Sequence, residues 1–448
     1  MSYENRVLKS TNNVSYQIGS SINRSERYEM YFDTSRRYII KICFCKSFYE
    51  RENLNKKLSF LMKQNLPTAI LKPIEIFYLE DAIGYITLAP KTSLLFLSEI
   101  NVGMLEADNF SNWFDSTGGL IKRLQIAINL GFVFNALVSK GIHFLELNQK
   151  EIFIDEEVNV YIPFIENLYV ERFLEPNIYL DSSNITPETP PELANNTASP
   201  DLYSDSYIYS VIVFYLLTFT YPYYRTIKEY QKYLKGKFSS CLIYIKDCDI
   251  NQEHRSSYND MYLTQYLHSC FSRTFKYGSV DRCSRKTVQD LLKACIISSN
   301  LCNRCPVCGD WGYYFSKDKC PICKNTVPHI FKFEIIRNPF ISELTDDKAR
   351  SKISEIDKLI REDGNPDYSY PIILNKENIL LYNFYLNEKQ RENWFKIRYQ
   401  LERKNNKYIL KDLESNSVIT KEICMTDFET LDKDDIYRGE VITTFTIK

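Results

Sequence analysis

Two apolar helical patterns in the middle of the chain constrain its fold most. Between residues 120 and 140 apolar side chains recur at helical spacing (Leu120, Leu124, Ile128, Leu130, Val133, Phe134, Leu137), and residues 205–219 carry a second, strongly apolar pattern. Further helical patterns at about residues 227–234, 260–271 and 284–297 make the middle of the chain a helical domain. The stretch before it reads differently. Residues 14–42 alternate short β-like runs with polar turns, and Tyr38-Ile39-Ile40-Lys41-Ile42-Cys43 is a strand signal rich in branched residues. A helix-like stretch at residues 48–63 and strand signals at 74–79 and 84–88 complete a strand-rich beginning of about ninety residues. Residues 181–200, with four prolines among Asn, Ser and Thr, predict a long loop. Near the C-terminus, residues 343–362 read as a charged amphipathic helix. Residues 370–448 return to strand alternation, clearest in Tyr408-Ile409-Leu410-Lys411-Asp412-Leu413 and Val441-Ile442-Thr443-Thr444-Phe445-Thr446-Ile447.

A chain of 448 residues predicts two or three domains, at roughly 100–200 residues each. Lys and Arg number 56 against 57 Asp and Glu, a net charge of -1, which gives no global field to hold nucleic acid or an anionic membrane. The run 211–219 is about half the roughly 20 residues that span a bilayer, and the first residues show no basic segment followed by an apolar run. A soluble, cytoplasmic protein without membrane contact is the expectation. Residues 389–411 hold eight Lys or Arg against two Glu, with Trp394, Phe395 and Tyr399 interleaved, which suggests a nucleic-acid surface. Period-two alternation there favours the solvated face of a strand instead.

Of thirteen cysteines, five crowd into residues 302–323, a pattern suited to metal ligands rather than to a secreted disulfide framework. Cys305-Pro306-Val307-Cys308 and, eleven residues later, Cys320-Pro321-Ile322-Cys323 form two knuckles whose four thiolates suit tetrahedral zinc. With sulfur in all four positions the site is closed to water and therefore structural. Cys302 is read as a spare thiol.

The run Gly141-Ile142-His143-Phe144-Leu145-Glu146-Leu147-Asn148-Gln149-Lys150-Glu151 resembles the catalytic loop of protein kinases, with altered chemistry. In kinases the loop carries an Asp that accepts the substrate hydroxyl proton and, five residues on, an Asn that holds magnesium. Those places fall on Glu146 and Glu151, and His143 matches a structural histidine. Lys41 resembles the lysine that contacts the ATP phosphates and pairs with a helix Glu, for which Glu50 or Glu52 is the candidate. Ile18-Gly19-Ser20-Ser21-Ile22-Asn23-Arg24 takes the place of the glycine-rich loop but keeps a single glycine. Gly84-Tyr85-Ile86-Thr87-Leu88-Ala89-Pro90 looks like the strand entering the hinge. Kinase spacing puts the metal-binding Asp near Phe164, and the nearest acidic residue is Glu166. Thr189-Pro190-Pro191-Glu192-Leu193 resembles the motif closing the activation segment, with Arg285 as the expected partner of Glu192. Ser204 to Val211 resembles the start of the central buried helix.

A narrower resemblance is to bacterial kinase-like proteins with a C-terminal zinc ribbon and a small β domain, encoded beside von Willebrand A proteins and PPM-type phosphatases in tellurite-resistance-type signalling modules. It is carried by Leu147-Asn148, Pro371-Ile372-Ile373-Leu374 and Leu381-Tyr382-Asn383-Phe384. The resemblance implies an α+β, bilobal protein-kinase-like fold followed by a four-cysteine zinc ribbon and a small all-β, sandwich-like domain. The expected boundaries are 10–90 for the N-lobe, 91–298 for the helical C-lobe, 299–335 for the zinc ribbon, 336–369 for a helical linker and 370–448 for the β domain. It implies a cytoplasmic bacterial signalling or stress-response protein, with the von Willebrand A protein and the phosphatase as partners. The expected role is a pseudokinase scaffold or regulator, with residual ATP binding on Mg2+ or Mn2+ left open against an empty cleft. Two alternatives are a divergent active Ser/Thr kinase, with Glu146 orienting the hydroxyl and Glu151 and Glu166 on metal, and a zinc-ribbon nucleic-acid-binding protein.

Overall fold

The computed structural model describes residues 3–101, 110–171, 185–219, 221–222, 263–278, 281–305, 307–309, 311–313, 323, 332–336, 369–373, 378–382, 391–404, 407–413 and 418–424. The patterns at 227–234, 343–362 and 441–447 and the ligand candidate Cys320 lie outside these residues. The chain divides into two compact units, Met1–Leu292 and Lys293–Lys448.

The first unit begins with an antiparallel six-stranded sheet of β1 (Val7–Lys9), β2 (Ser15–Arg24), β3 (Tyr28–Asp33), β4 (Tyr38–Phe44), β5 (Glu75–Tyr78) and β6 (Ala82–Leu88), in the order β1-β2-β3-β4-β6-β5. Helix α1 (Phe48–Leu61) follows β4. The pleat sorts β4 by parity. Ile40 and Ile42 join Leu8, Tyr16, Ile18, Tyr31, Phe77 and Ile86 on one face. Ile39 joins Met30, Leu71, Phe153 and Phe164 on the other. Lys41 shares the parity of Ile39, so the same alternation that builds the core drives its ammonium toward Phe164. Gly19 in β2 lies so close to β3 that a Cβ would sit 3.0 Å from the Asp33 carbonyl carbon and from the Phe32 oxygen. Its glycine is explained by strand packing at an irregular stretch of the β2–β3 register.

After β7 (Leu95–Phe96) the unit turns helical, with α2 (Phe110–Ser116), α3 (Gly119–Val138), the short pair β8 (Ile142–Phe144) and β11 (Leu168–Val170), and between them the pair β9 (Phe153–Ile154) and β10 (Val160–Tyr161). Then come α4 (Pro191–Ala194), α5 (Leu202–Thr218), α6 (Gln265–Ser272) and α7 (Val288–Leu301), the last running past the unit boundary. The predicted patterns 120–140 and 205–219 are α3 and α5, and they pack on each other. Tyr209 donates to the Ala127 carbonyl at 2.8 Å where Gly131 leaves room for its hydroxyl, and its ring lies 5.4 Å from Phe134. By length and composition α3 would cross a membrane, but here it is a core helix with Arg123 fully buried. That guanidinium lies 4.8–5.3 Å from the ring centres of Trp113, Phe114 and Phe219 and donates to the Gly119 carbonyl at 3.1 Å. The predicted long loop contains α4, whose Glu192 forms a buried two-pronged pair with Arg285 at 2.6 and 2.8 Å. This is the pairing expected from sequence.

The second unit holds the hairpin β12 (Cys302–Arg304) and β13 (Trp311–Tyr313), and the pair β14 (Lys332–Ile336) and β15 (Ser369–Ile373). It also holds a four-stranded antiparallel meander of β16 (Asn378–Tyr382), β17 (Ile397–Lys404), β18 (Lys407–Asp412) and β19 (Val418–Cys424). Trp394 is buried, with Lys293 4.8 Å and Arg391 5.0 Å from its ring centre.

Candidate functional site

The residues read as kinase-like converge where the sheet meets the loops after α3. Lys41 is wholly buried and forms an ion pair with Glu166. Its ammonium lies 3.4 Å from the centre of the Phe164 ring and 4.3 Å from that of Tyr28, and those rings meet edge to face at 5.2 Å. Phe164, at the position kinase spacing gives to the metal-binding Asp, is fully buried. Tyr85 of β6 fixes this segment from above, its hydroxyl 2.6 Å from the Pro163 carbonyl and 2.6 Å from the Glu166 carboxylate. Burial and the adjacent Glu166 push that phenol well up. Backbone bonds from Leu71 to Ile162 at 3.0 Å and from Ile162 to Ala69 at 2.7 Å hold the same segment from the side.

The helix glutamates are elsewhere. Glu50 belongs to the start of α1, where its carboxylate accepts from the Lys46 amide at 2.7 Å while its own amide donates to Ser47 at 3.1 Å. Glu52 lies near Tyr78, whose phenol it helps burial to raise. Neither is the partner of Lys41. The α1 residue that reaches the site is Lys57, buried and donating to the Glu166 carbonyl at 2.8 Å. Its position one turn before Leu61, on the apolar stripe, was the available sequence signal.

Glu146 and Glu151 stand on the loop after β8. Glu146 is buried and held by Arg27 of the β2–β3 turn at 2.6 Å. Burial raises its carboxyl, against the lowering effect of Arg27. Glu151 is spent on the loop itself. Its carboxylate accepts from the Asn148 amide at 3.0 Å and from the Asn167 side chain at 3.1 Å, closing a capping box around the turn at Gln149–Glu151. Burial, with Glu146 nearby, pushes its carboxyl up to about 8. His143 bonds Asp205 of α5 at 2.7 Å and Glu171 at 3.1 Å, and Asp205 also accepts from the Phe144 amide at 2.9 Å. That carboxylate ties the loop to the buried helix, a structural role.

A carboxyl with a pKa near 8 in the folded state is neutral at pH 7. Because its folded pKa lies above the unfolded value of about 4.3, its stabilising contribution is complete below that value and is lost as pH rises through about 8. Glu151→Gln keeps the neutral form at every pH, and rotation of the Asn167 amide preserves both hydrogen bonds. The expected result is that the variant gains stability relative to the parent between about pH 5 and pH 9 in denaturant titrations. Parallel profiles would show that this carboxyl does not titrate as its surroundings dictate.

In the second unit, one ligand sulfur from each of Cys305, Cys308 and Cys323 lies within 4.8 Å of the others, with Cys305 and Cys323 3.9 Å apart. The Val307 amide donates to the Cys305 sulfur at 3.4 Å, and Gly309, with φ of +79°, turns the chain back so that its amide bonds the Cys305 carbonyl at 2.9 Å. This donor set fits a thiophilic ion such as zinc. Among the described residues it is the one such grouping of three or more acidic, His or Cys ligands. Glu146, Glu151 and Glu166 are electrostatic neighbours, and among the described residues they are not grouped as a three-ligand cluster. Lys41 has no exposed surface in this arrangement.

No protein-family model matches the chain, and no curated protein does. Among solved structures it is similar to the autoinhibited serine kinase domain of the giant muscle protein titin, at 15% identity and a TM-score of 0.44, over 62% of this chain and 78% of that one.

Proposed function

We propose that this chain is a kinase-fold signalling protein whose cleft is closed to phosphotransfer and which acts by binding partners. The observation that carries this reading is the complete burial of Lys41 between Glu166, Phe164 and Tyr28. Phosphoryl transfer needs a lysine on the phosphates and acidic ligands on a divalent ion. Here an aromatic ring stands where the metal ligand belongs, and the carboxylate in the lysine's reach neutralises it internally. ATP would have to replace the Lys41–Glu166 pair and pack its phosphates beside three carboxyl groups. The reading includes a structural zinc ion on Cys305, Cys308, Cys320 and Cys323. Its partners, by the resemblance, are a von Willebrand A protein and a PPM-type phosphatase of a bacterial cytoplasmic stress-response module.

Thermal unfolding with ATP, in magnesium, in manganese and without metal, tests the cleft. A ligand at about 100 times its dissociation constant stabilises a fold by roughly 2.7 kcal/mol. The expected result is no shift at millimolar ATP under any of the three conditions, and no transfer of labelled phosphate to the chain or to a generic acceptor. A metal-dependent shift abolished by Lys41→Ala would replace this reading with the divergent kinase, in which Glu146 orients the hydroxyl nucleophile.

A further inference from the structure

We infer that the turn between β2 and β3 is a latch, fastened by Arg27 to Glu146, that keeps the Lys41 cleft shut. The inference rests on the reading of that cleft as closed and assigns the part that closes it. The turn is stiff. The Ser25 hydroxyl accepts from the amides of Arg27 and Tyr28, each at 3.2 Å, and the Ser25 amide donates to the Tyr28 carbonyl at 2.8 Å. The Arg27 carbonyl is anchored to β4 by the Phe44 amide at 2.8 Å. Two successive side chains leave this turn for elements more than a hundred residues away. Arg27 crosses to Glu146 on the loop after β8, and Tyr28 lies over Lys41 and against Phe164. Asn23 holds the Tyr28 hydroxyl at 3.2 Å, so the ring does not swing independently of the strand.

The two halves of the contact differ in environment, and that difference makes it a latch rather than a permanent weld. The Glu146 side chain is 10% exposed, whereas that of Arg27 is 48% exposed. Burial and the nearby Glu166 work against the Glu146 charge and the Arg27 guanidinium supports it, while Arg27, half-exposed, loses little by swinging into water. Release of Arg27 costs the exposed partner little and frees the hairpin to carry Tyr28 off Lys41. A half-exposed ion pair of this kind shifts an opening equilibrium by a small factor, not by orders of magnitude. The latch is accordingly within reach of a partner that offers Arg27 another carboxylate.

The test is the reactivity of individual lysines toward an acylating reagent, read by peptide mass spectrometry on the full chain. Arg27→Ala, Arg27→Glu and the parent are compared, with thermal transitions recorded to show that each is folded. Lys41 in the parent is expected to react far more slowly than exposed lysines such as Lys150. In Arg27→Ala it should react roughly fivefold faster, the scale of one half-exposed ion pair, and faster still in Arg27→Glu, where two carboxylates repel. Protection of Lys41 that is equal in all three proteins overturns the latch and leaves the closed cleft standing. Rapid labelling of Lys41 in the parent overturns the closed cleft itself, and the latch with it.

Discussion

Arg285→Ala is expected to cost about 3–5 kcal/mol of unfolding free energy, the scale for removing one partner of a buried ion pair. The side chain is nearly inaccessible, at 2% exposure against 8% for Glu192. Beyond its two bonds to Glu192, it donates to the Gly278 carbonyl at 3.0 Å and to the Tyr203 carbonyl at 3.1 Å, and its guanidinium lies 5.0 Å from the centre of the Tyr207 ring. One side chain thus joins α4, the beginning of α5 and the turn after α6. Truncation leaves the Glu192 carboxylate buried without its counter-charge and two carbonyls without their donor. Glu192→Gln should cost less, because the amide oxygen still accepts from the guanidinium. The double variant Arg285→Met, Glu192→Leu should recover much of the loss, since a buried pair often contributes little beyond an apolar replacement of like volume. Denaturant titration followed by far-UV circular dichroism measures all three. A loss below about 1 kcal/mol for Arg285→Ala would place the pair in the class of surface bridges and contradict its burial.

That pair was legible in the sequence because it is built from local motifs, Pro190-Pro191-Glu192 and Asp281-Arg282-Cys283-Ser284-Arg285, whose order along the chain matches the kinase pattern. The helices α3 and α5 were legible because tertiary packing and hydrophobic periodicity agree there. Strand parity placed Lys41 on the same face as Ile39. The partner of Lys41 was not legible. Helix position pointed to Glu50 or Glu52, but Glu50 is occupied at the start of α1 and Glu52 faces Tyr78. The charge that neutralises Lys41 comes from Glu166, far along the chain and brought near by the 69–71 and 162 pairing, which no local spacing encodes. Glu166 itself was singled out, for a metal. In the structure its carboxylate forms an ion pair with the Lys41 ammonium, which also lies over the Phe164 ring. Arg27 and Tyr28 carried no signal at all, because a Ser-Glu-Arg-Tyr turn reads as an ordinary polar hairpin until the loop beneath it is known. Gly19 shows the reverse case. The place of this glycine was read from the kinase-like order of motifs, and the structure adds a packing reason for it, because a Cβ there would sit 3.0 Å from the backbone of β3.

Removal of metal is expected to have the largest effect of any single change, confined to the second unit. The binding energy of a structural zinc site is folding energy, about 10–16 kcal/mol in small zinc domains at neutral pH. The hairpin β12–β13 has only three residues in each strand, too few to hold two cysteine turns in place by strand pairing alone. Cys305 is 2% exposed, and three thiolates held together without a cation would repel one another. The purified protein should therefore carry about one equivalent of zinc, released by a strong chelator or by a thiol-specific mercurial with a matching loss of one calorimetric transition. Cys305→Ser and Cys320→Ser should each abolish that transition, while Cys302→Ser leaves it in place, because Cys302 is outside the cluster. The transition of the first unit, whose core draws on α3, α5 and the six-stranded sheet, should persist in the chelated protein. Retention of both transitions in metal-free protein would show that the cysteines are core thiols, and the knuckles would then need another explanation.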